Sequence, residues 1–171
     1  MSFKFLEKPS SNDYDKVINE DFILTDTEGN YQLIYVKLDD VADLVAASRS
    51  GKYHLKKSDI KPKVFDKYKS LIDSYIDKYF PDKKRITKVY YRKNQDIGYH
   101  RDRVPSENSM TATVCIRNTI QGGELVIPDF RLAVAQGHGY LCLFDGKKHH
   151  HGMIPIDIKN GGYRSIFVFH S

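Results

Sequence analysis

The sequence predicts a mainly β, α+β fold: a jelly-roll sandwich with supporting N-terminal helices. Three observations predict it. From Ile86 onward, β-prone runs of four to eight residues alternate with turn residues. Before them, apolar residues between Val64 and Tyr79 recur at steps of three and four, the period of a helix. Twelve Tyr and nine Phe with no Trp suit a pleated, aromatic-rich surface. With 40% hydrophobic and 29% charged residues, the composition excludes a disordered or fibrous chain.

The elements follow in order. Phe22–Thr25 and Tyr31–Leu38 flank Thr27-Glu28-Gly29-Asn30 and read as a hairpin. Asp39 or Asp40 then caps a short helix through Val41, Leu44 and Val45, ended by Gly51. The longer helix carries Val64, Phe65, Tyr68, Leu71, Ile72, Tyr75, Ile76 and Tyr79 as one stripe, and Pro81 stops it. That stripe is core packing against a sheet. Eight strands are expected over Ile86–Lys93, Ile97–Arg101, Thr111–Asn118, Glu124–Ile127, Arg131–Val134, Tyr140–Phe144, Met153–Ile156 and Tyr163–His170. No repeat or linker divides the 171 residues, so one domain is expected, with support over 1–85 and the jelly-roll over 86–171.

Charge and cysteines narrow the setting. Residues 1–40 carry four Lys against nine Asp or Glu, whereas residues 52–93 carry fourteen Lys or Arg against five Asp. A basic middle segment attracts a polyanion such as nucleic acid, although a solvated Lys-rich helix face has the same composition. No apolar run reaches the roughly 18 residues of a membrane span, and Met1–Ser11 lacks the apolar region of a secretory signal. Cys115 and Cys142 lie inside apolar runs and read as two reduced core thiols of an intracellular protein.

Three short motifs can carry chemistry. In His100-Arg101-Asp102, residues i and i+2 of a strand project to one face, so an imidazole and a carboxylate meet. A second histidine would complete a 2-His-1-carboxylate triad, which leaves iron three open positions. Lys147-Lys148-His149-His150-His151-Gly152 offers that histidine, 47 to 49 residues past Asp102. Arg164 opens the last β run. An arginine pointing into a sandwich is costly to bury unless an anion meets it, and a guanidinium grips a carboxylate with two parallel bonds. Taken singly, each motif has a bland reading: a chance His-x-Asp, a solvated His-rich turn, an exposed arginine.

Together, His-x-Asp, about fifty residues, His, about a dozen residues, then Arg resembles the double-stranded β-helix (jelly-roll) superfamily of 2-oxoglutarate/Fe(II) dioxygenases. The resemblance covers roughly Ile86 to Ser171. Within it, Gly98–Asp102, Asn108–Cys115, Gly122–Pro128, Leu143–Gly146 and His151–Ile156 are similar to the TET and J-base-binding-protein group, which oxidises the methyl of a pyrimidine in DNA. The Gly-Gly-x-Leu turn at Gly122 also resembles prolyl hydroxylases.

The resemblance implies Fe(II) on His100, Asp102 and His151, with 2-oxoglutarate and O2 as co-substrates and ascorbate as a possible stimulant. It selects His151 because the group's metal histidine stands four residues before a proline, here Pro155; His149 is second, and His150 points away. Arg164 would hold the distal carboxylate. The group's Ser two residues later is Ile166 here, with Ser165 on the opposite face. Tyr91, nine residues before His100, resembles in spacing a co-substrate tyrosine of AlkB-type relatives, and an ordinary strand aromatic explains it equally well. A DNA substrate would be flipped into the pocket, its phosphates met by Lys83, Lys84, Arg85, Arg92, Lys93, Arg101 or Arg103. Hydroxylation of a protein (prolyl-type) or of a small molecule is the alternative within the enzyme class. A non-catalytic jelly-roll binding module is the alternative outside it.

Overall fold

A computed structural model describes residues 7–48, 60–94, 97–104, 106–119, 121–157 and 161–171. Among them the order is β1 (Lys16–Ile18), β2 (Phe22–Thr25), β3 (Tyr31–Lys37), α1 (Ala42–Ser48), α2 (Pro62–Tyr79), β4 (Lys88–Lys93), β5 (Thr111–Arg117), β6 (Leu125–Ile127), β7 (Leu132–Val134), β8 (Tyr140–Phe144), β9 (Gly152–Met153) and β10 (Arg164–His170). The strands make a sheet of six, ordered β2-β3-β8-β5-β10-β4, and a sheet of four, β1-β7-β6-β9. This is the expected jelly-roll sandwich.

Local chemistry explains the supporting elements. The hairpin turn is held by the Asp26 carboxylate, which accepts the N–H groups of Glu28 and Asn30 at 2.9 Å each. Asp40, one of the two expected caps, accepts the Ala42 N–H at 2.9 Å. The expected end of that helix at Gly51 lies outside the described residues. Pro62 occupies the first turn of α2, where its missing N–H costs nothing, and the Phe80 N–H closes the last turn on the Ile76 carbonyl. Asp73, buried on α2, accepts the Ile86 N–H at 2.8 Å and so ties the helix to the approach of β4.

The two faces of the six-stranded sheet bury different things. Outward, Val89, Tyr91, Val114, Phe167 and Phe169 pack with Phe65, Tyr68, Ile72 and Ile76 of α2. Inward, Leu33, Cys115, Cys142, Phe144 and Ile166 pack with Leu125, Ile127, Leu132, Val134 and Met153 of the smaller sheet. Both cysteines are free thiols, as expected. No helix among the described residues is long and apolar enough to cross a membrane.

Two expectations need correction. Ile97–Arg101 is not a strand; only His100 pairs, as an isolated antiparallel bridge to His151. The Tyr99 N–H turns instead to the Glu7 carbonyl at 2.8 Å, so no continuous ladder forms. Conversely, β1 was not expected, and it runs parallel to β7 with Lys16 opposite Leu132. Three residues with one buried side chain are too short to show a period.

Candidate metal centre

The bridge brings two histidines together: His100 N–H donates to the His151 carbonyl at 3.0 Å, and His151 N–H returns the bond at 2.9 Å. Their rings lie 4.3 Å apart. Asp102 is drawn to the same point by its own N–H, which donates to the Gly146 carbonyl at 2.9 Å. Oδ1 of Asp102 then sits 3.3 Å from His100 Nε2 and 3.2 Å from His151 Nε2. One ligand atom from each of the three residues falls within 4.8 Å of the others, close enough for a single metal ion.

The tautomers follow from the neighbours. His100 Nδ1 lies 2.9 Å from the Gly98 carbonyl, and His151 Nδ1 lies 2.9 Å from the His149 carbonyl. A carbonyl can only accept, so each Nδ1 carries a hydrogen and Nε2 is the ring atom turned toward Asp102, the atom that offers a lone pair to a metal when the ring is neutral. Such an outer bond is what fixes a metal-binding imidazole. The second Asp102 oxygen accepts the Thr111 hydroxyl at 2.5 Å and faces His170 Nδ1 at 3.9 Å. Gly146 must be bare here, because a Cβ would stand 2.2 Å from Asp102 Oδ2.

Burial pushes the Asp102 carboxyl up, but the bonds from His100 and His151 outweigh it and hold it well below the usual carboxylate range. Burial likewise pulls His100 down, and the Asp102 and Gly98 bonds lift it past its ordinary value. The carboxylate is built to stay charged and to meet a cation.

A deep chamber of about 70 Å³ lies over the cluster, lined by His100, Asp102 and His151 with Thr111, Thr113, Met153 and His170. It shares Tyr90, Arg92, Ile97, His100, Asp102 and His170 with an outer vestibule of about 420 Å³. Lys88, Arg92, Arg101 and Arg103 rim that vestibule, with no acid other than Asp102 among its lining residues. Tyr90 stands in the rim 43% exposed, with the Lys88 ammonium 5.7 Å from the centre of its ring. A second cavity of about 530 Å³, bordered by Leu38, Val41 and Gly139, contains none of the three candidate ligands.

Among the described residues Arg164 is the largest fully buried side chain, 2% exposed at the start of β10. Its Nη1 donates to the Met153 thioether at 2.7 Å, and Met153 also lines the deep chamber. Burial pushes the neighbouring Cys115 thiol up to about 11, against the pull of the Arg164 and Arg117 guanidiniums. Gly123 adopts a φ of +81°, which side chains rarely take up, and a Cβ there would also crowd Ile156 at 2.9 Å and Arg164 at 3.1 Å, so that turn too favours glycine.

The structure thus brings His100, Asp102 and His151 together and buries Arg164 beside the chamber. It does not bring Tyr91 there. Tyr91 faces the helices, where its hydroxyl donates to the Ser48 carbonyl at 3.0 Å and shares a 2.8 Å bond with Ser165 Oγ. The tyrosine on the cavity side is Tyr90, one residue earlier and therefore on the opposite face. His149 turns to Asp129 at 2.7 Å and is not a ligand candidate. Of the expected phosphate contacts, Arg92, Arg101 and Arg103 border the vestibule. Lys83 is paired with Asp145 and Arg85 with Asp77, each at 2.7 Å, and Lys84 and Lys93 are not lining residues. Lys88, Tyr90, Thr111, Thr113 and His170 were missed. Strand parity could have found them: Thr111 and Thr113 share the inward face of Cys115, and His170 that of Arg164.

No protein-family model matches the chain, and no curated protein matches it in sequence. Solved structures do match in fold. NgTET1, in its complex with 5mC DNA, superposes with a TM-score of 0.63 at 12% identity over 95% of this chain and 78% of that one. The viral collagen prolyl hydroxylase vCPH from Paramecium Bursaria Chlorella virus-1, in its 2OG complex, gives 0.57 at 16% identity, over 80% of this chain and 94% of that one. A truncated form of the same hydroxylase gives 0.59 at 16% identity, over 87% and 95%. The chain therefore has the jelly-roll fold that NgTET1 and this prolyl hydroxylase share.

Proposed function

We propose that this protein is an Fe(II)- and 2-oxoglutarate-dependent dioxygenase that hydroxylates the methyl group of a modified pyrimidine, 5-methylcytosine or thymine, in DNA. The observation that carries the reading is a chamber with a His-Asp-His cluster in its lining that adjoins a vestibule with a cationic rim. Two imidazoles and one carboxylate are the donor set of a non-haem Fe(II) oxygenase site. Bound together, Fe(II), 2-oxoglutarate and O2 supply C–H hydroxylation, with 2-oxoglutarate leaving as succinate and CO2.

The chain's own residues do the rest. His100, Asp102 and His151 hold the metal, their geometry fixed by the Gly98 and His149 carbonyls and the Thr111 hydroxyl. Arg164 neutralises the distal carboxylate of 2-oxoglutarate from its buried place beside Met153, its guanidinium suited to grip a carboxylate with two parallel bonds. Lys88, Arg92, Arg101 and Arg103 take up the phosphates on either side of a flipped nucleotide. Tyr91 has no part in co-substrate binding, since its hydroxyl is spent on the helix side of the sheet.

A protein-directed hydroxylase is the second reading, supported by the fold likeness to vCPH over nearly that protein's whole length. One experiment separates the two. Protein loaded with Fe(II), 2-oxoglutarate and ascorbate is incubated with DNA containing 5-methylcytosine and thymine, beside a His100→Ala, Asp102→Ala variant. Nucleoside mass spectrometry should find oxidised pyrimidine only with the intact protein. Succinate without any base oxidation would remove the DNA reading and direct the search to peptides. Silence in both channels from iron-loaded protein would leave a non-catalytic jelly-roll module.

A further inference from the structure

Three consecutive histidines end the chain's approach to β9, and only His151 belongs to the ligand cluster. His149 has its own surroundings. Its ring is buried, with 9% of the side chain exposed, and Nδ1 lies 2.7 Å from Asp129 Oδ2. A carboxylate only accepts, so Nδ1–H is the donor. The ring also packs against Phe130, centroids 4.5 Å apart. Asp129 and Phe130 both belong to the single 3₁₀ turn, Pro128–Phe130, that follows β6. Meanwhile the His149 N–H donates to the Asp145 carbonyl at 3.1 Å. The peptide carbonyl of His149, which receives the His151 Nδ1–H, is therefore held by its own residue's side chain on one flank and by the backbone turn on the other.

His100 provides an internal control. It makes the same bond to the carbonyl two residues upstream, but that residue is Gly98, which has no side chain to fix it. The two ligand histidines are thus oriented alike and secured differently.

We propose that Asp129 and His149 form a positioning pair that sets the direction of the His151 Nε2 lone pair and thereby the affinity and geometry of the bound metal. The inference rests on the metal-site reading above. Neither residue touches the metal; each acts through the His149 carbonyl. Outright loss of an outer partner typically weakens metal binding about 10-fold to 100-fold; here the His149 carbonyl stays and only its hold is lost, which puts the effect at the low end.

The test uses the full chain, stripped of metal and titrated with Co(II), whose visible absorption reports ligand geometry without turnover. His149→Ala and Asp129→Ala should each weaken Co(II) binding by up to about 10-fold and shift the absorption band. The double variant should be no worse than either alone, because one pair is broken in all three. His149→Asn keeps an N–H donor near the Nδ1 position and should restore affinity to within about threefold. Asp129 is half exposed, so Asp129→Ala keeps the core intact and carries the test if His149→Ala does not fold. Alanine variants that lose thermal stability but bind Co(II) with the parental affinity and spectrum would overturn the proposal and leave the pair as fold support alone. If the parent and His151→Ala bind Co(II) equally poorly, the metal reading fails first, and the pair with it.

Discussion

Along β4, β5 and β10 the six-stranded sheet has two faces of opposite character. The outward face is apolar and closed: Val89, Val114, Phe167 and Phe169 meet α2, and the polar atoms admitted there, the Tyr91 and Ser165 hydroxyls, satisfy each other. The inward face of the same strands carries Lys88, Tyr90, Arg92, Thr111, Thr113, Arg164 and His170. Adjacent residues thus serve different ends, one anchoring the sheet and the next facing the chamber. A single-residue step in a strand reverses the face, so a likeness in spacing alone cannot assign a side chain to a site.

The comparison breaks most visibly at the three candidate metal ligands. Asp102→Ala should lower metal content and succinate formation at least a hundredfold while the helix-facing core keeps its far-ultraviolet spectrum, because the loss is confined to the inward face. Metal analysis and turnover check both halves. Arg164→Ala comes next. Removing one partner of a buried charge pair costs about 2 to 5 kcal/mol, so the KM for 2-oxoglutarate should rise by roughly a hundredfold or more with the metal still bound.

The neighbouring tyrosines sharpen it. Tyr91→Phe strips the hydroxyl from the buried Ser165 and Ser48 partners and should cost about 1 to 3 kcal/mol in urea unfolding without changing co-substrate KM. Tyr90→Phe should leave stability unchanged; a reversed result would exchange the roles of the two faces. Smaller still, Lys88→Ala should reduce the slope of log affinity against log salt for duplex DNA by about 0.9.

The least effect belongs to Asp43 on the helix side. Burial raises its carboxyl, but bonds from Lys67, Tyr68 and the Leu44 N–H prevail and lower it. A depressed carboxyl stabilises above its unfolded value near 3.8 and loses that contribution as pH falls through the lower folded value. Asp43→Asn should therefore cost under about 1 kcal/mol at neutral pH and nothing in strong acid, seen as converging unfolding midpoints.

Much of this was legible in the sequence because periodic patterns and fixed offsets survive tertiary context. The α2 stripe, the hairpin, seven of the eight expected late strands, His100, Asp102, His151 and the buried Arg164 all rest on such patterns. What stayed hidden depends on partners distant in the chain. His149 and His151 share a face if the segment is extended, and only the approach of Asp129 from another turn separates them. Lys83 and Arg85 looked as available as Arg92 until Asp145 and Asp77 came within 2.7 Å. The segment from Ile97 carries strand-like residues, yet its backbone divides between Glu7 and the β9 region.

The pairing of β1 with β7 has a consequence in time. Lys16 lies opposite Leu132, His100 opposite His151, and Lys88 opposite His170. Each contact closes a long stretch of chain, and loop-closure entropy must be met before such contacts reward it. The histidines and the carboxylate therefore assemble near the end of folding, after the local hairpin and helices. Refolding from denaturant should recover helical signal before metal affinity, and during synthesis the chain should bind metal only once β10 is free to join.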